Sequence, residues 1–152
     1  MNKIQNAHLN DAKKIQELIN TCAKQDLLLA RSLNEIYENI RDFYIYKDNN
    51  NITACGALHI VWEDLAELRS LIVEESARNS GIGKLIVEHI INEAKKLGIT
   101  KIFTLTYQDK FFKKIGFEYI DKEMLPHKIW SDCIKCVKFP NCDEIAMMYT
   151  IK

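Results

Sequence analysis

The chain has 152 residues, of which 47% are hydrophobic, and its 21 basic residues balance its 21 acidic ones. We therefore expect a single domain over residues 1–152 with a sizeable core, and no basic surface that would bind nucleic acid. No apolar run approaches the roughly 20 residues of a membrane span, and the N-terminus lacks a signal-peptide core. These features predict a cytoplasmic protein.

The first half of the chain predicts a strand, two helices and three further strands. Asn10 or Asp11 can cap the first helix, and Ser32 and Glu35 have the spacing of a capping box that begins the second. Four residues, Asp48 and three asparagines, predict a hairpin turn. The strands are expected over residues 4–9, 43–47, 52–62 and 65–73.

The second half begins with a glycine turn, Gly81-Ile82-Gly83, which leads into a long amphipathic helix that Gly98 closes as a left-handed cap. The apolar residues predicted to face the core are Ile82, Leu85, Ile86, Ile90, Ala94 and Leu97. A strand, a short helix and another strand should follow over residues 99–105, 109–115 and 117–120. Residues 121–143 read as an irregular segment, and residues 144–151 read as the closing strand.

The glycine turn has the chemistry of an anion site. Backbone N–H groups and the positive end of the helix dipole meet where a helix begins, and glycine lets a phosphate approach the backbone. Arg78 adds a positive charge before the turn. The spacing Arg78-x-x-Gly81-x-Gly83 disfavours both the dinucleotide-binding fingerprint and the P-loop. The alternative is an ordinary turn that needs two glycines.

A strand followed by Arg-x-x-Gly-x-Gly and a helix resembles the acetyl-CoA-binding motif of the GNAT superfamily of N-acetyltransferases, and Gly116-Phe117 after a short helix is a second similar feature. The resemblance implies an α+β (mixed α/β) fold, with a mostly antiparallel sheet of six to seven strands splayed in a V and about four helices. It also implies acetyl-CoA as cofactor, with its pyrophosphate on the turn and its pantetheine arm on the preceding strand. The cofactor-binding residues implied are Leu71, Ile72, Val73, Arg78, Asn79, Ser80, Gly81, Ile82, Gly83 and Lys84.

Acetyl transfer to an amine requires a group that removes a proton from the amine, and Glu67 is the candidate base. Strand alternation predicts that Glu67 and Arg69 share a face with Leu71 and Val73. The position of Glu67, six residues before Val73, resembles that of the glutamate base in some GNAT branches. The alternative is a structural carboxylate paired with Arg69.

The oxyanion should be held by a backbone N–H near Leu71 or Val73. The group that protonates the leaving thiolate is less clear. Many GNAT enzymes carry a tyrosine where this chain has Phe112. Tyr107 is the substitute candidate, and its alternative role is packing in the core or cleft.

Three stretches resemble the acetyltransferase domain of amino-acid N-acetyltransferases, chiefly N-acetylglutamate synthase: residues 29–32, 67–71 and 125–128. The resemblance implies acetylation of the α-amine of L-glutamate, the first step of arginine biosynthesis. A substrate with two carboxylates needs cationic ligands, and Arg31, Arg69 and Lys128 are the candidates. Arg31 and Lys128 are alternatively solvated surface charges.

Other functions stay open from the sequence: acetylation of another amine or of a peptide N-terminus, and a non-catalytic module that senses CoA or binds metal. The expected partner is a small amino acid, with no nucleic acid and no membrane, and a homodimer is left open.

Five cysteines, an odd number, favour thiols or metal ligands over disulfides. Cys133-x-x-Cys136-x5-Cys142, with His127 as a fourth ligand, has the look of a zinc knuckle, although the favoured role is packing of small thiols. Cys22 and Cys55 read as core residues. The three remaining histidines show no partner at a useful spacing and read as structural: His8, His59 and His89.

Overall fold

The structure is a computed structural model that describes residues 3–23, 31–125 and 144–151. Within these residues, seven strands and four α-helices form the fold. The strands are β1 (Ile4–Asn6), β2 (Phe43–Asp48), β3 (Asn51–Trp62), β4 (Leu65–Val73), β5 (Lys101–Thr106), β6 (Glu118–Tyr119) and β7 (Ile145–Thr150). The helices are α1 (Ala12–Ala23), α2 (Leu33–Glu38), α3 (Ile82–Leu97) and α4 (Asp109–Ile115). None of these helices is long and apolar enough to cross a membrane.

The strands form one sheet in the order β1-β2-β3-β4-β5-β7-β6. All its strand pairs are antiparallel except β4 with β5. The parallel ladder ends at Glu67 and Phe103, although β4 continues to Val73. At the fork, the Thr104 hydroxyl donates a hydrogen bond to the Leu68 carbonyl at 2.9 Å. The predicted splayed, mostly antiparallel sheet is therefore confirmed.

Local sequence signals explain several element ends. The Glu35 amide donates to the Ser32 hydroxyl at 3.1 Å, which confirms the predicted cap of α2. Asn49 and Asn50 both have positive φ, as a tight hairpin turn requires. The prediction for α1 is wrong in one respect. The Asp11 carboxylate accepts from the His8 amide at 2.8 Å, so a 3₁₀ turn at Leu9–Asp11 precedes the helix and neither Asn10 nor Asp11 is its N-cap.

Helix α3 packs one stripe on the sheet and ends at Gly98, whose φ of 89° confirms the predicted left-handed cap. Leu85 and Leu97 do not face the core, because their side chains are 48% and 64% exposed. Val87 is buried instead. At 3.6 residues per turn, Val87 lies nearer than Leu85 to the middle of the buried stripe, and Leu97 lies at the helix end.

Helices cover both faces of the sheet. On one face, which we call the α3 face, α3 and α4 cover a core that includes Ala54, Leu58 and Leu68. On the other, the α1 face, α1 and α2 cover a core that includes Cys55, Ala57 and Ile72. The burial of Cys55 confirms it as a core residue, whereas the side chain of Cys22 lies outside the described part of the structure.

A β-bulge in β4 changes which residues share a face. Cys55 pairs with Ile72 and Ala57 pairs with Arg69, so three steps along β4 match two along β3. Ser70, within the bulge, has a φ of 56°, in the left-handed region. Opposite the bulge lies Gly56, where a Cβ would stand 2.9 Å from an Ile86 methyl group, so the sheet and α3 meet closely there.

The bulge makes one sequence prediction wrong. Leu68, before the bulge, and Leu71 and Val73, after it, all pack on the α3 face. Glu67 and Arg69 alternate with Leu68 and therefore lie on the α1 face, opposite Leu71 and Val73. Simple alternation fails because the extra residue at the bulge shifts the phase of the strand by one.

Candidate active site

The glycine turn forms the beginning of α3. Gly81 is the N-cap, and its φ of 84° is in the left-handed region that glycine adopts without steric cost. The amides of residues 82–84 begin the helix and have no intrahelical acceptor, so they are available to an anion. At Gly83, a Cβ would stand 3.3 Å from the Phe111 ring and 3.6 Å from a Val73 methyl group. The backbone at Gly83 therefore packs closely against Phe111 and Val73 and carries no side chain of its own. The absence of a side chain fits the close approach of a phosphate to the backbone.

Two cations stand beside this helix N-terminus. Arg78 is exposed, and its Nε donates to the Val73 carbonyl at 3.0 Å, which ties the guanidinium to the end of β4. Lys84 is exposed in the first turn of the helix. With the free amides, these charges give the turn the character that a pyrophosphate requires.

The other residues predicted to bind the cofactor lie around the same turn. Asn79 has a positive φ of 65°, and the Ser80 hydroxyl donates to the Ala77 carbonyl, so both residues shape the turn itself. The side chain of Ile82, the first residue of α3, is buried in the core of the α3 face, and the side chain of Ile72 is buried on the α1 face. Any contact of these two with a cofactor would therefore come from the backbone.

Glu67 and Arg69 form an ion pair at the fork between β4 and β5. Their side chains are 13% and 15% exposed, and Glu67 Oε1 lies 3.6 Å from Arg69 Nη1. Glu67 pairs with Phe103, the last residue of β5 in the parallel ladder, so the carboxylate lies where the two strands separate. The pair fits a base held beside a cationic ligand, and it equally fits the structural role that the sequence left open.

The structure adds a pair that sequence reasoning misses. The sequence indicates only a structural role for His59, without a partner, yet its Nδ1 lies 2.7 Å from the Asp42 carboxylate. His59 is also the direct cross-strand partner of Glu67. The strand alternation of β3 could have indicated the second contact. The first contact, which joins residues 17 positions apart, has no spacing signal.

The remaining candidates are placed as follows. Arg31 precedes α2; its side chain is 14% exposed and pairs with Glu35 at 3.4 Å. Tyr107 is half-buried directly after the end of β5. Lys128, together with Cys133, Cys136, Cys142 and His127, lies outside the described residues. Among the side chains that are described, no group of three or more His, Cys, Asp or Glu residues is arranged to hold a metal ion.

A cleft of about 530 Å³ opens between α1 and the end of β4. It continues the α1 face beyond Arg69, towards Ile72. Its lining carries two cations and three carboxylates, so it does not present one dominant charge. The lining residues are Lys14, Glu17, Leu18, Thr21, Ile72, Val73, Glu74, Glu75, Ser76 and Arg78.

Comparison with known proteins agrees with this geometry. Residues 10–117 match the model of the acetyltransferase (GNAT) family. An uncharacterized N-acetyltransferase of Chlorobaculum tepidum is 40% identical over 97% of this chain and 96% of its own length. An amino-acid acetyltransferase of Mycobacterium tuberculosis is 31% identical over 96% of this chain and 85% of its own length.

Among solved structures, N-acetylglutamate synthase from Neisseria gonorrhoeae, complexed with coenzyme A and N-acetyl-glutamate, superposes with a TM-score of 0.90 at 26% identity. The superposition covers 98% of this chain and 35% of that protein. These findings confirm the resemblance drawn from the glycine motif, and with it acetyl-CoA as the acetyl donor. The chain belongs to the acetyltransferase (GNAT) family and is an N-acetyltransferase with homology to amino-acid acetyltransferases.

Proposed function

We propose that the protein acetylates the α-amine of a free amino acid, L-glutamate, and so carries out the first step of arginine biosynthesis. The observation that carries this proposal is the Glu67–Arg69 ion pair at the fork of β4 and β5. One site there offers a carboxylate that can accept a proton from an ammonium group and a guanidinium that can bind a carboxylate. A free amino acid carries both of these groups on one carbon.

The role of Glu67 follows from its place. A carboxylate that is 13% exposed and held by a cation is orientated and only partly hydrated, as a general base should be. Glu67 accepts a proton from the substrate ammonium, directly or through one water molecule. The amine freed in this way can then attack the thioester in a ternary complex, with no cysteine acyl-enzyme.

The cationic side chains of Arg69, Arg31 and Lys128 are proposed to select the substrate by binding its carboxylates. Arginine binds carboxylates through two parallel hydrogen bonds, and Arg69 is held in place by Glu67. Arg31 is the candidate for the second carboxylate of glutamate, and it would then share its guanidinium with Glu35. Lys128 is proposed for the same role on the basis of the sequence alone.

Acetyl-CoA supplies the acetyl group when it is bound. The residues of this chain that would hold it are those of the glycine turn, with Arg78 and Lys84 beside the pyrophosphate and the backbone of Leu71 and Val73 along the pantetheine arm. Tyr107, at the end of β5, is the candidate that protonates the departing thiolate.

The relatives support an amino-acid substrate. The M. tuberculosis relative is an amino-acid acetyltransferase, and the N. gonorrhoeae structure contains N-acetyl-glutamate. The C. tepidum relative has a higher identity, but its name specifies no acceptor. The choice of glutamate therefore rests on Arg69 at the fork, with Arg31 and Lys128 as candidates for the second carboxylate, as much as on similarity.

The test is a thiol-release assay with acetyl-CoA against a panel of free amino acids, polyamines and peptide N-termini. We expect saturable turnover with glutamate. Replacing Arg69 by Ala removes a charge-assisted contact of about 1.5–3 kcal/mol, so the KM for glutamate should rise roughly ten- to hundredfold while the KM for acetyl-CoA stays constant. Arg41→Ala, which removes an exposed arginine, is the matched control and should change neither KM.

Two results would contradict the proposal. Turnover with an amine other than an amino acid, and none with glutamate, would keep the family chemistry and discard the substrate. Acetyl-CoA binding without turnover on any amine would favour the non-catalytic CoA-sensing module.

A further inference from the structure

Asp42 and His59 form a hydrogen-bonded pair between a 3₁₀ turn and the sheet. Asp42 ends a 3₁₀ turn, Ile40–Asp42, that precedes β2, and His59 lies on β3. The 2.7 Å separation between His59 Nδ1 and Asp42 Oδ2 is that of a strong, charge-assisted hydrogen bond. Both side chains are partly buried, with 34% of His59 and 23% of Asp42 exposed.

The hydrogen bond fixes the tautomer of the imidazole. An ionised carboxylate can only accept, so the hydrogen lies on Nδ1. In the neutral ring, Nε2 is then an acceptor and can take up a proton. The imidazolium formed by that uptake keeps its hydrogen bond to Asp42 and gains the attraction of a negative charge.

The pair lies next to the proposed base. His59 and Glu67 are direct partners on antiparallel strands, and Ala57 and Arg69 are the next pair on the same face. Side chains of directly opposed residues have their Cβ atoms about 4.5–5.5 Å apart, which allows contact directly or through one water molecule. Within the described residues, the charged groups that these contacts place next to His59 are Asp42 from the 3₁₀ turn and the Glu67–Arg69 pair from β4. The Glu67–Arg69 pair is neutral as a unit, so Asp42 supplies the net negative charge beside the ring.

We propose that His59, held by Asp42, receives the proton that Glu67 takes from the substrate ammonium and passes it to solvent. This proposal rests on the proposed function. His59 acts through Glu67 and is therefore a positioning and relay residue rather than a catalytic one.

The proton balance of the reaction leaves one proton to be carried to solvent. The ammonium nitrogen has three hydrogens and the amide product has one, so two protons leave it as the C–N bond forms and the thioester C–S bond breaks. One proton is taken up by the departing sulfur to give the thiol of CoA. The other moves from Glu67 to His59 Nε2 and then to water at the exposed part of the ring, which returns Glu67 to its ionised state for the next turnover.

A second His–Asp contact in the same chain provides a matched comparison. His8 Nδ1 lies 3.9 Å from Asp11 Oδ2, and the His8 side chain is 73% exposed near the start of α1. This contact joins the same two residue types over a longer distance, and His8 does not lie opposite a glutamate on a neighbouring strand. A general effect of histidine loss would therefore appear in both positions, whereas a relay effect would appear only at His59.

The experiment measures acetyl transfer by the full chain with the amine that supports the fastest turnover. His59→Gln and Asp42→Asn should each lower kcat roughly ten- to hundredfold, less than the loss of a direct base, with the KM for acetyl-CoA unchanged. His59→Ala should recover turnover in proportion to added imidazole, which can carry the proton in its place. His8→Gln should retain the wild-type kcat and show no response to imidazole.

The outcomes separate the two proposals. If the wild type turns over and His59→Gln keeps kcat within about twofold across the pH range, the relay is wrong and the proposed function stands. A folded His59→Ala protein that is slow and does not respond to imidazole also overturns the relay, and leaves a structural tie between the 3₁₀ turn and β3. If the wild type acetylates no amine at all, both proposals fail.

Discussion

The two faces of the sheet at β4 differ in how well the sequence predicts them. On the α3 face, the glycine turn and the helix that follows it lie within Val73–Leu97, and their roles can be read from the order of residues in that one stretch. On the α1 face, Glu67, His59 and Asp42 come from three elements and meet only through strand register and a tertiary contact. The proposed cofactor-binding turn is therefore encoded by neighbouring residues, whereas the proposed proton-handling residues are brought together only by the fold.

The bulge at Ser70 is the physical link between the two faces. Before the bulge, Glu67 and Arg69 point to the α1 face; after it, Leu71 and Val73 point to the α3 face and pack near the first turn of α3. A regular strand would have put all four side chains on one face. The phase shift lets one strand carry the proposed base on one face and lead into the proposed cofactor-binding turn at its end.

The largest effect on activity is expected from Glu67→Gln, which tests the role proposed for the α1 face. The amide cannot accept the proton, and it leaves the Arg69 charge without its carboxylate in a mostly buried place. We expect kcat to fall roughly 10²–10⁴-fold, with the KM for acetyl-CoA unchanged because the glycine turn is intact. Steady-state kinetics with both substrates varied gives the two constants.

The control for this prediction is Glu88→Gln, which removes an exposed carboxylate from α3 and should leave kcat at the wild-type value. Retention of kcat by Glu67→Gln, together with a loss of thermal stability, would instead show that Glu67 is a structural partner of Arg69. The α1 face would then lack the proposed base.

The features that the sequence predicts correctly are those that depend on neighbouring residues, and the features that it misses depend on contacts between distant ones. The bounds of β4 and α4, the cap at Gly98 and the N-cap at Ser32 are predictable because each depends on residues within a few positions. The prediction that Glu67 shares a face with Leu71 and Val73 is wrong because Ser70 adopts a left-handed backbone conformation. Serine rarely adopts this conformation, so its presence in the sequence does not predict a bulge. The Asp42–His59 contact escapes prediction because only the pairing of β2 with β3 brings the 3₁₀ turn to His59.

A smaller effect is expected from Gly81→Ala, and Gly98→Ala is its matched control. The two glycines have φ of 84° and 89°, and at neither would an added Cβ meet another atom within 4 Å. Each alanine therefore costs roughly 1–2 kcal/mol of left-handed strain and little else, so both variants should lose similar thermal stability. Only Gly81→Ala alters the turn at the N-terminus of α3, so it alone should raise the KM for acetyl-CoA, by about tenfold.

Calorimetry and steady-state kinetics on the two glycine variants test this difference. Equal rises in the KM for acetyl-CoA would mean that helix stability, and not the turn itself, sets cofactor affinity. A rise in the KM for glutamate with Gly81→Ala would break the separation of the faces, because a change on the α3 side would then reach the Arg69 side.

The smallest effect concerns stability at high pH and belongs to the α3 face. Tyr44 is buried there against His89, with ring centroids 5.1 Å apart, and burial is the main cause of its raised pKa, with the negative charges of Glu93 and Asp42 adding to it. Because the folded-state pKa lies above the unfolded value of about 10, the stabilising contribution is complete below about pH 10. It is lost as pH rises from there towards the folded-state pKa, by at most about 1.4 kcal/mol per pH unit. Tyr44→Phe keeps the packing and removes the hydroxyl, so its free energy of unfolding should fall less steeply above about pH 10 than that of the wild type. Urea unfolding at a series of pH values measures both slopes, and identical slopes would mean that the alkaline sensitivity arises elsewhere than in this core.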